Sequence, residues 1–250
     1  MKKKFSAPAI KASVLAVAGA LCSFPALSDV SYHLDITNPE HHLANVTATF
    51  PKTTRSELDI KLPAWRTGRY EILDLANGIT DFVVKDSKGR PLTWKKVEKS
   101  TWRVFLDKPD EITVSYQVYA NQLGKRTRHV DDSHAYIDAS GYFMYADEFR
   151  NDEVALTMNV PKDWRSVSGL PSGNKPHSFT AANFDVLVDS PIETGINQHA
   201  TFEQDGRDYE LVVWGKGNYD FEQMTADLKK LVATLFMRYV QSKSRTKFRK

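Results

Sequence analysis

The sequence has almost no cysteine, since Cys22 is the only one among 250 residues. Cys22 lies in a leader that we expect to be removed, so the mature chain has no disulfide and no thiol nucleophile. This excludes small disulfide-stabilised scaffolds and thiol-dependent enzymes. The stability of the mature protein must therefore come from an ordinary hydrophobic core.

Residues 1–28 have the pattern of a secretory signal peptide. Three lysines at positions 2–4 precede the apolar stretch ASVLAVAGALCSF, and small residues stand at Ala26 and Ser28. A retained membrane anchor is the alternative, but the apolar stretch is shorter than the about 20 residues that a spanning helix needs. Lipid attachment at Cys22 is disfavoured by the residues Gly-Ala-Leu before it. We therefore expect a periplasmic or secreted protein without stable membrane insertion.

The net positive charge of the chain comes from its two ends. The formal net charge is +3, of which the leader contributes +4 and residues 238–250 contribute +6, so residues 29–237 carry −7. A nucleic-acid-binding surface needs basic residues spread over the fold. We expect no nucleic-acid partner.

Two catalytic patterns are also missing: the zinc motif H-E-x-x-H and a glycine-rich phosphate loop before a helix. One dense polar cluster remains between residues 126 and 153. Its candidate substrate- or partner-contacting residues are His129, Asp131, Asp132, His134, Asp147 and Glu148.

Three interpretations of this cluster stay open: a polar loop held by its own hydrogen bonds, a loop that contacts a ligand or partner, and an independent catalytic site. Long loops without secondary structure are often functional. Two histidines with Asp131 or Asp132 could ligate zinc, but the spacing between His129 and His134 fits no common zinc motif. Ser133 beside His134 could suggest a nucleophile, but sequence neighbours seldom form a catalytic pair. We therefore predict no catalytic residue, metal ligand or cofactor in this chain.

Most of the chain alternates apolar and polar residues with a period of two. This pattern predicts strands with one buried and one hydrated face, as in antiparallel sheets. The alternating sets are Tyr32/Leu34/Ile36, Val46/Ala48/Phe50, Leu58/Ile60/Leu62, Trp102/Val104/Leu106, Ile112/Val114/Tyr116/Val118, Val154/Leu156/Met158/Val160, Phe184/Val186/Val188 and Tyr209/Leu211/Val213. Gly89 is placed for a positive φ in a hairpin turn. The predicted fold is mainly β: an antiparallel β-sandwich followed by one C-terminal amphipathic helix.

The period changes once, after residues 215–218. The later apolar positions have helical spacing, with Asp220 as N-cap, and predict a helix near 220–239. We therefore divide the chain into a signal peptide (1–28), an N-terminal β-domain (29–214), a linker and first helix (215–237) and a basic tail (238–250).

The five tryptophans permit a second function, that of a periplasmic β-sandwich module that binds carbohydrate or peptide. Tryptophan rings can stack on sugars, but Trp102 lies in a core-like alternation and the others flank strands. Packing is the favoured role. The tryptophans are Trp65, Trp94, Trp102, Trp164 and Trp214.

Three segments together resemble a known family. LPAWRTGRYEILDLANGI is similar to the W-x-P-G-x-Y segment of glycyl-aminopeptidase-type zinc metallopeptidases, metallopeptidase family sixty-one. VYANQLGKRTRHVDDSHAYIDASGYFMY is similar to their R-x-x-x-x-D-D-x-H signature, and FDVLVDSPIETG resembles a third, in which an acidic strand ends in D-S/H-P. Order and spacing agree from about Tyr32 to Leu231, although Thr67 stands where the family commonly has proline.

The resemblance implies the β-rich N-terminal domain of an exported aminopeptidase that releases glycine or alanine from peptide N-termini. In that family a following domain holds zinc through H-E-x-x-H and a further Glu, with the motif Glu as general base. Zinc is expected in the full-length family and not in this chain, which we expect to be inactive alone.

The expected partners are the missing catalytic domain or a downstream polypeptide, and peptide substrate only in the full-length enzyme. The resemblance stops near Leu235, and residues 238–250 favour an out-of-frame tail after truncation. A basic arm that binds lipid or nucleic acid is the alternative.

Overall fold

The computed structural model describes residues 30–65, 72–123 and 128–247, with side chains described as far as residue 235. The predicted signal peptide and the position of Thr67 lie outside the described residues. None of the helices among the described residues is long and apolar enough to span a bilayer.

The described residues form fifteen strands and three α-helices. The strands are β1 Val30–Asp35, β2 Leu43–Thr53, β3 Glu57–Lys61, β4 Ile79–Asp86, β5 Trp94–Glu98, β6 Thr101–Phe105, β7 Asp110–Tyr119, β8 His129–Val130, β9 His134–Ile137, β10 Val154–Asn159, β11 Arg165–Ser168, β12 Ser178–Ala181, β13 Ile192–Gly195, β14 Asn197–Gln204 and β15 Arg207–Trp214. The helices are α1 Ala139–Tyr142, α2 Phe184–Asp189 and α3 Phe221–Lys247, and short 3-10 turns occupy Pro39–His41, Leu75–Gly78 and Asp147–Phe149. The predicted mainly-β class is confirmed.

The strands form four sheets. A six-stranded sheet has the order β12-β10-β1-β2-β7-β4, and a three-stranded sheet has the order β3-β6-β5. A four-stranded sheet follows the order β11-β13-β9-β8, and β14 and β15 form a hairpin. All strand pairs are antiparallel except β1 with β10. This agrees with the predicted sandwich, since the alternating strands bury one face each.

An aromatic contact joins the six-stranded and three-stranded sheets. Phe82 on β4 stacks on Trp102 of β6 at 5.3 Å between ring centroids, and meets Trp94 of β5 edge-on at 4.9 Å. Gly89, in the turn between β4 and β5, has the predicted positive φ of 75°. After this turn the two strands separate, because β4 pairs with β7 and β5 pairs with β6.

The predicted strand containing Phe184, Val186 and Val188 is wrong, because these residues lie in helix α2. The side chain of Asn183 caps this helix by accepting a hydrogen bond from the backbone of Val186 at 2.9 Å. The buried positions are Phe184 and Leu187, three residues apart, whereas Val186 is exposed. A short apolar run fits both periods, and here the helical one applies.

The prediction of a long polar loop between residues 126 and 153 is also wrong. From 128 onwards this segment contains β8, β9, α1 and a 3-10 turn, and most of residues 128–146 are buried. Tyrosine hydroxyls anchor it to the six-stranded sheet: Tyr32 donates to the Met144 carbonyl at 2.7 Å, and Tyr116 donates to the Tyr142 carbonyl at 2.9 Å. Within the segment, Asp131 accepts a hydrogen bond from the Ser133 amide and Asp138 accepts one from the Ser140 amide.

Helix α3 begins where the change of period predicts. Asp220 caps it by accepting a hydrogen bond from the Gln223 amide at 3.0 Å. The helix continues to Lys247, beyond the predicted end near residue 239. Residues 238–247 contain no proline or glycine, so nothing in them interrupts the backbone hydrogen bonds of a helix.

Candidate functional site

The four-stranded sheet brings the two buried histidines of the polar cluster onto one face. The strand register pairs His129 with Tyr136 and Tyr136 with Glu193 in one row, and pairs His134 with Gly195 in the next. Paired residues share a face, and so do residues two apart on one strand. At Gly195 an added Cβ would lie 2.4 Å from the Cβ of His134, so this close approach requires glycine.

The carboxylate of Asp131 organises the turn between β8 and β9. Its Oδ1 accepts hydrogen bonds from the Ser133 amide and hydroxyl, both at 2.8 Å, and from the His134 amide at 2.9 Å. Its Oδ2 lies 3.0 Å from Nε2 of His129. Partial burial opposes ionisation, but the hydrogen bonds from His129 and Ser133 outweigh it and hold the pKa of Asp131 well below its usual range.

The hairpin of β14 and β15 covers this turn. The indole of Trp214 stacks on the imidazole of His134, and its Nε1 donates to the Ser133 hydroxyl at 3.0 Å. Burial lowers the pKa of His134. A second link joins the hairpin to β11, where Arg165 contacts Glu210 at 3.3 Å.

Among the described residues, four buried side-chain atoms have no hydrogen-bond partner. They are Nδ1 of His129, Nδ1 of His134, Oε1 of Glu193 and Oδ1 of Asn197. Burial, with a smaller contribution from the charge of Asp131, raises the pKa of Glu193 to about 8. Unpaired buried polar atoms are uncommon and indicate either strain or a missing ligand, ion or water.

The structure brings together only half of the predicted set. His129, Asp131 and His134 lie within 4.8 Å of one another at their donor atoms. Asp132 is exposed and stands outside this group. The spacing of the two histidines fits no common zinc motif, but the β8–β9 turn folds both of them back onto Asp131.

Asp147 and Glu148 lie elsewhere, beside strand β3. Lys61 contacts Asp147 at 2.6 Å, and Arg55 contacts Glu148 at 3.1 Å. These acids line a cleft of about 590 Å³ formed with residues 54–59 and Arg103. Each of the two carboxylates already has a basic partner, so the cleft offers little unpaired charge to a ligand.

The tryptophans pack as predicted rather than forming a flat sugar-binding row. Trp102 and Trp164 are buried, Trp94 lies against Phe82, and Trp214 lies against His134. Trp65 and Trp94 are the exposed ones, with 54% and 37% of their surface accessible.

Sequence reasoning missed Glu193, Asn197 and the role of Trp214. These residues are 60 or more positions from His129, and only the sheet register and the hairpin bring them near it. The one local indication was Glu193 itself, an acidic residue beside the apolar Ile192 and the β-branched Thr194.

Comparisons with known proteins agree with this architecture. The model of the Peptidase M61 N-terminal domain matches residues 31–196. The crystal structure of an aminopeptidase N family protein from Idiomarina loihiensis is similar, with a TM-score of 0.76 and 27% identity over 82% of this chain and 36% of that chain. This chain thus corresponds to well under half the length of that protein.

More distant likenesses exist. An M1 zinc metallopeptidase from Deinococcus radiodurans, as a variant bound to a Tyr-Ser-Ala substrate, has a TM-score of 0.45 and 11% identity over 79% of this chain and 50% of that chain. A comparison with curated proteins found no match. The family match covers well over half of the residues, and the protein therefore belongs to the family of the Peptidase M61 N-terminal domain.

Proposed function

We propose that residues 30–214 serve as the non-catalytic β-domain of an exported zinc aminopeptidase, of the kind that releases N-terminal glycine or alanine from peptides. The observation that carries the proposal is the family match over residues 31–196. The family's zinc ligands, two histidines of H-E-x-x-H and a further Glu, have no counterpart in this sequence. The role of this domain is therefore to support and position a catalytic domain rather than to hydrolyse peptides.

Helix α3 offers a surface for that catalytic domain, whether on the same chain or on a separate polypeptide. Leu231 and Leu235 lie one helical turn apart and are 57% and 59% exposed. Leu228 and Val232 beside them are half-buried. Contiguous exposed leucines on a helix are typical of a surface that another domain covers.

Self-association of the purified chain tests this surface. We expect concentration-dependent association in size-exclusion chromatography, and we expect the double variant Leu231→Asp/Leu235→Asp to be monomeric. Ala226→Asp is the matched control, because Ala226 is exposed on another side of the same helix and its change should leave association intact. If the wild-type chain stays monomeric at high concentration, the proposal of an uncovered docking surface on helix α3 is contradicted.

The alternative function, a carbohydrate- or peptide-binding module, makes a different prediction. Such a module would stay monodisperse and would change its tryptophan fluorescence saturably with sugars or peptides. We expect no saturable response to a panel of mono- and oligosaccharides, because Trp65 is the one described tryptophan with more than half of its surface exposed. A saturable response lost in Trp65→Ala would favour the module over the peptidase domain.

Export is part of the same proposal and rests on residues 1–28. Expression with this leader should deliver a shortened chain to the periplasm or medium. Cell fractionation and N-terminal sequencing measure this, and full-length chain retained in the cytoplasm contradicts it.

A further inference from the structure

The β8–β9 turn carries the donor set of a transition-metal site. Two imidazoles and a carboxylate are the nitrogen and oxygen ligands that Zn²⁺ and neighbouring divalent ions accept. Here His129 Nε2 lies 3.0 Å from Asp131 Oδ2, and His134 Nδ1 lies 3.5 Å from Asp131 Oδ1. Donor atoms of a tetrahedral site with bonds of 2.0–2.1 Å stand about 3.3 Å apart, whereas the three donor atoms here lie within 4.8 Å of one another, so the side chains must close in by up to about 1.5 Å to hold an ion.

The two oxygens of Asp131 are used differently, which leaves one of them for an ion. Oδ1 accepts three hydrogen bonds from Ser133 and His134 and fixes the turn. Oδ2 contacts Nε2 of His129 at 3.0 Å. An ion between Oδ2 and His129 Nε2 would replace that one contact and leave the turn intact.

The unpaired atoms provide a second, independent observation. The side chain of His134 is 98% buried and its Nδ1 has no hydrogen-bond partner, although Asp131 is nearby. The side chain of His129 is 91% buried, and its Nε2 faces Asp131. Buried imidazole nitrogens are normally hydrogen-bonded or bound to metal, so the unpaired Nδ1 of His134 points to an occupant.

The surroundings match what metal sites require beyond their ligands. Ser133 and the Trp214 indole form a chain of hydrogen bonds that ends on Asp131 and orients its carboxylate. Glu193 adds an acidic group on the same sheet face, close enough for the charge of Asp131 to act on it, and its Oε1 is unpaired.

We propose that His129, Asp131 and His134 bind a divalent transition-metal ion of the Zn²⁺ class and thereby lock the β8–β9 turn against the β14–β15 hairpin. The three residues do not form an H-E-x-x-H motif, and the ion has a structural role. The proposal stands on the geometry of this turn and does not depend on the aminopeptidase assignment.

Metal binding by the purified chain, made without a polyhistidine tag, tests the proposal. We expect isothermal titration with Zn²⁺ to show one site per chain, and Co²⁺ to give visible absorption of a low-coordinate nitrogen and oxygen environment. Zn²⁺ should also raise the melting temperature of the apo chain, because an ion that binds only the folded state stabilises it. Trp214 fluorescence should be quenched by Co²⁺ or Ni²⁺, since its ring stacks on that of His134.

Matched variants separate this site from surface binding. Asp131→Asn keeps an oxygen that can accept the turn's hydrogen bonds but loses the charge, and we expect Zn²⁺ affinity to fall at least about tenfold. His134→Gln should behave likewise. Asp132→Asn, one residue away and exposed, and His41→Asn, with 66% of its side chain exposed, should bind as the wild type does.

The folded state of each variant is checked by circular dichroism. If Asp131→Asn does not fold, His134→Gln and the Co²⁺ spectrum of the wild type still decide the matter. Absence of Zn²⁺ binding by the folded wild-type chain overturns the proposal. Equal binding by folded His134→Gln and wild type overturns it too.

Discussion

The imidazole of His134 stacks on the indole of Trp214, with ring centroids 3.5 Å apart and an angle of 18° between the planes. The two residues are 80 positions apart in the chain. Their contact, with the hydrogen bond from Trp214 to Ser133, fastens the β14–β15 hairpin to the four-stranded sheet.

Trp214→Ala should therefore destabilise the protein measurably. Trp214 is half-buried, so we expect a loss of about 1.5–3 kcal/mol in the free energy of unfolding, below the cost at a fully buried tryptophan. Urea unfolding followed by far-UV circular dichroism measures it. Trp65→Ala is the control, and a loss there as large as at Trp214 contradicts the account.

The buried carboxyl of Glu193 should make stability depend on pH. Its pKa is raised to about 8, so the folded state holds a proton between about pH 4.5 and 8 that the unfolded state has released. Unfolding free energy should fall as pH rises through this window. Relative to Glu193→Gln, the wild type should lose about 2–4 kcal/mol between pH 5 and pH 8.5, allowing for partial contact with water.

Unfolding of both proteins at pH 5, 7 and 8.5 measures this difference. Glu203→Gln is the control, because Glu203 is exposed on β14, and its difference from wild type should stay flat over the same range. A flat difference for Glu193→Gln as well would show that this carboxyl is ionised in the folded state.

The aromatic contact between the six-stranded and three-stranded sheets should be the most sensitive to truncation. Phe82→Ala removes the ring that meets Trp94 and Trp102, and we expect a loss of about 3–4 kcal/mol. The neighbouring Val83 is 43% exposed, so Val83→Ala should cost less than about 1 kcal/mol. Chemical denaturation of both variants measures the two losses. Equal losses would contradict the packing of Phe82 against Trp94 and Trp102.

Gly78 and Gly169 provide a matched pair for steric effects. A Cβ at Gly78 would lie 2.0 Å from Nη2 of the buried Arg128, whereas a Cβ at Gly169 meets nothing within 4 Å. Gly78→Ala should destabilise by about 1–3 kcal/mol, since the guanidinium must move, and Gly169→Ala should be neutral or slightly stabilising. Thermal unfolding of the two variants decides it, and the reverse order would contradict the position of Arg128.

The strands were predictable wherever one face meets the core and the other meets water, because apolar and polar residues then alternate along the sequence. Helix α2 was not, since the alternation of Phe184, Val186 and Val188 conceals the helical spacing of Phe184 and Leu187. The predicted polar loop failed for a related reason. Its polar groups bond to one another and to the tyrosines of the core, and composition alone cannot show those long-range partners.

The candidate site divides in the same way. His129, Asp131 and His134 are close in sequence, so a composition search finds them. Glu193 and Trp214 reach them only through sheet register and the docking of a hairpin, which no local pattern reports. Asp147 and Glu148 belong to the same polar stretch but bond to β3 and its flanking residues instead.

The central claim is that this chain carries a supporting β-domain and no peptidase centre of its own. Hydrolysis of glycine and alanine anilides by the purified chain, with and without added Zn²⁺, tests it most directly. The account predicts no turnover above background in either condition, even where Zn²⁺ binds at the β8–β9 turn, because no Glu of an H-E-x-x-H motif is present to activate water. Turnover that depends on Zn²⁺ and disappears in His129→Ala would contradict it.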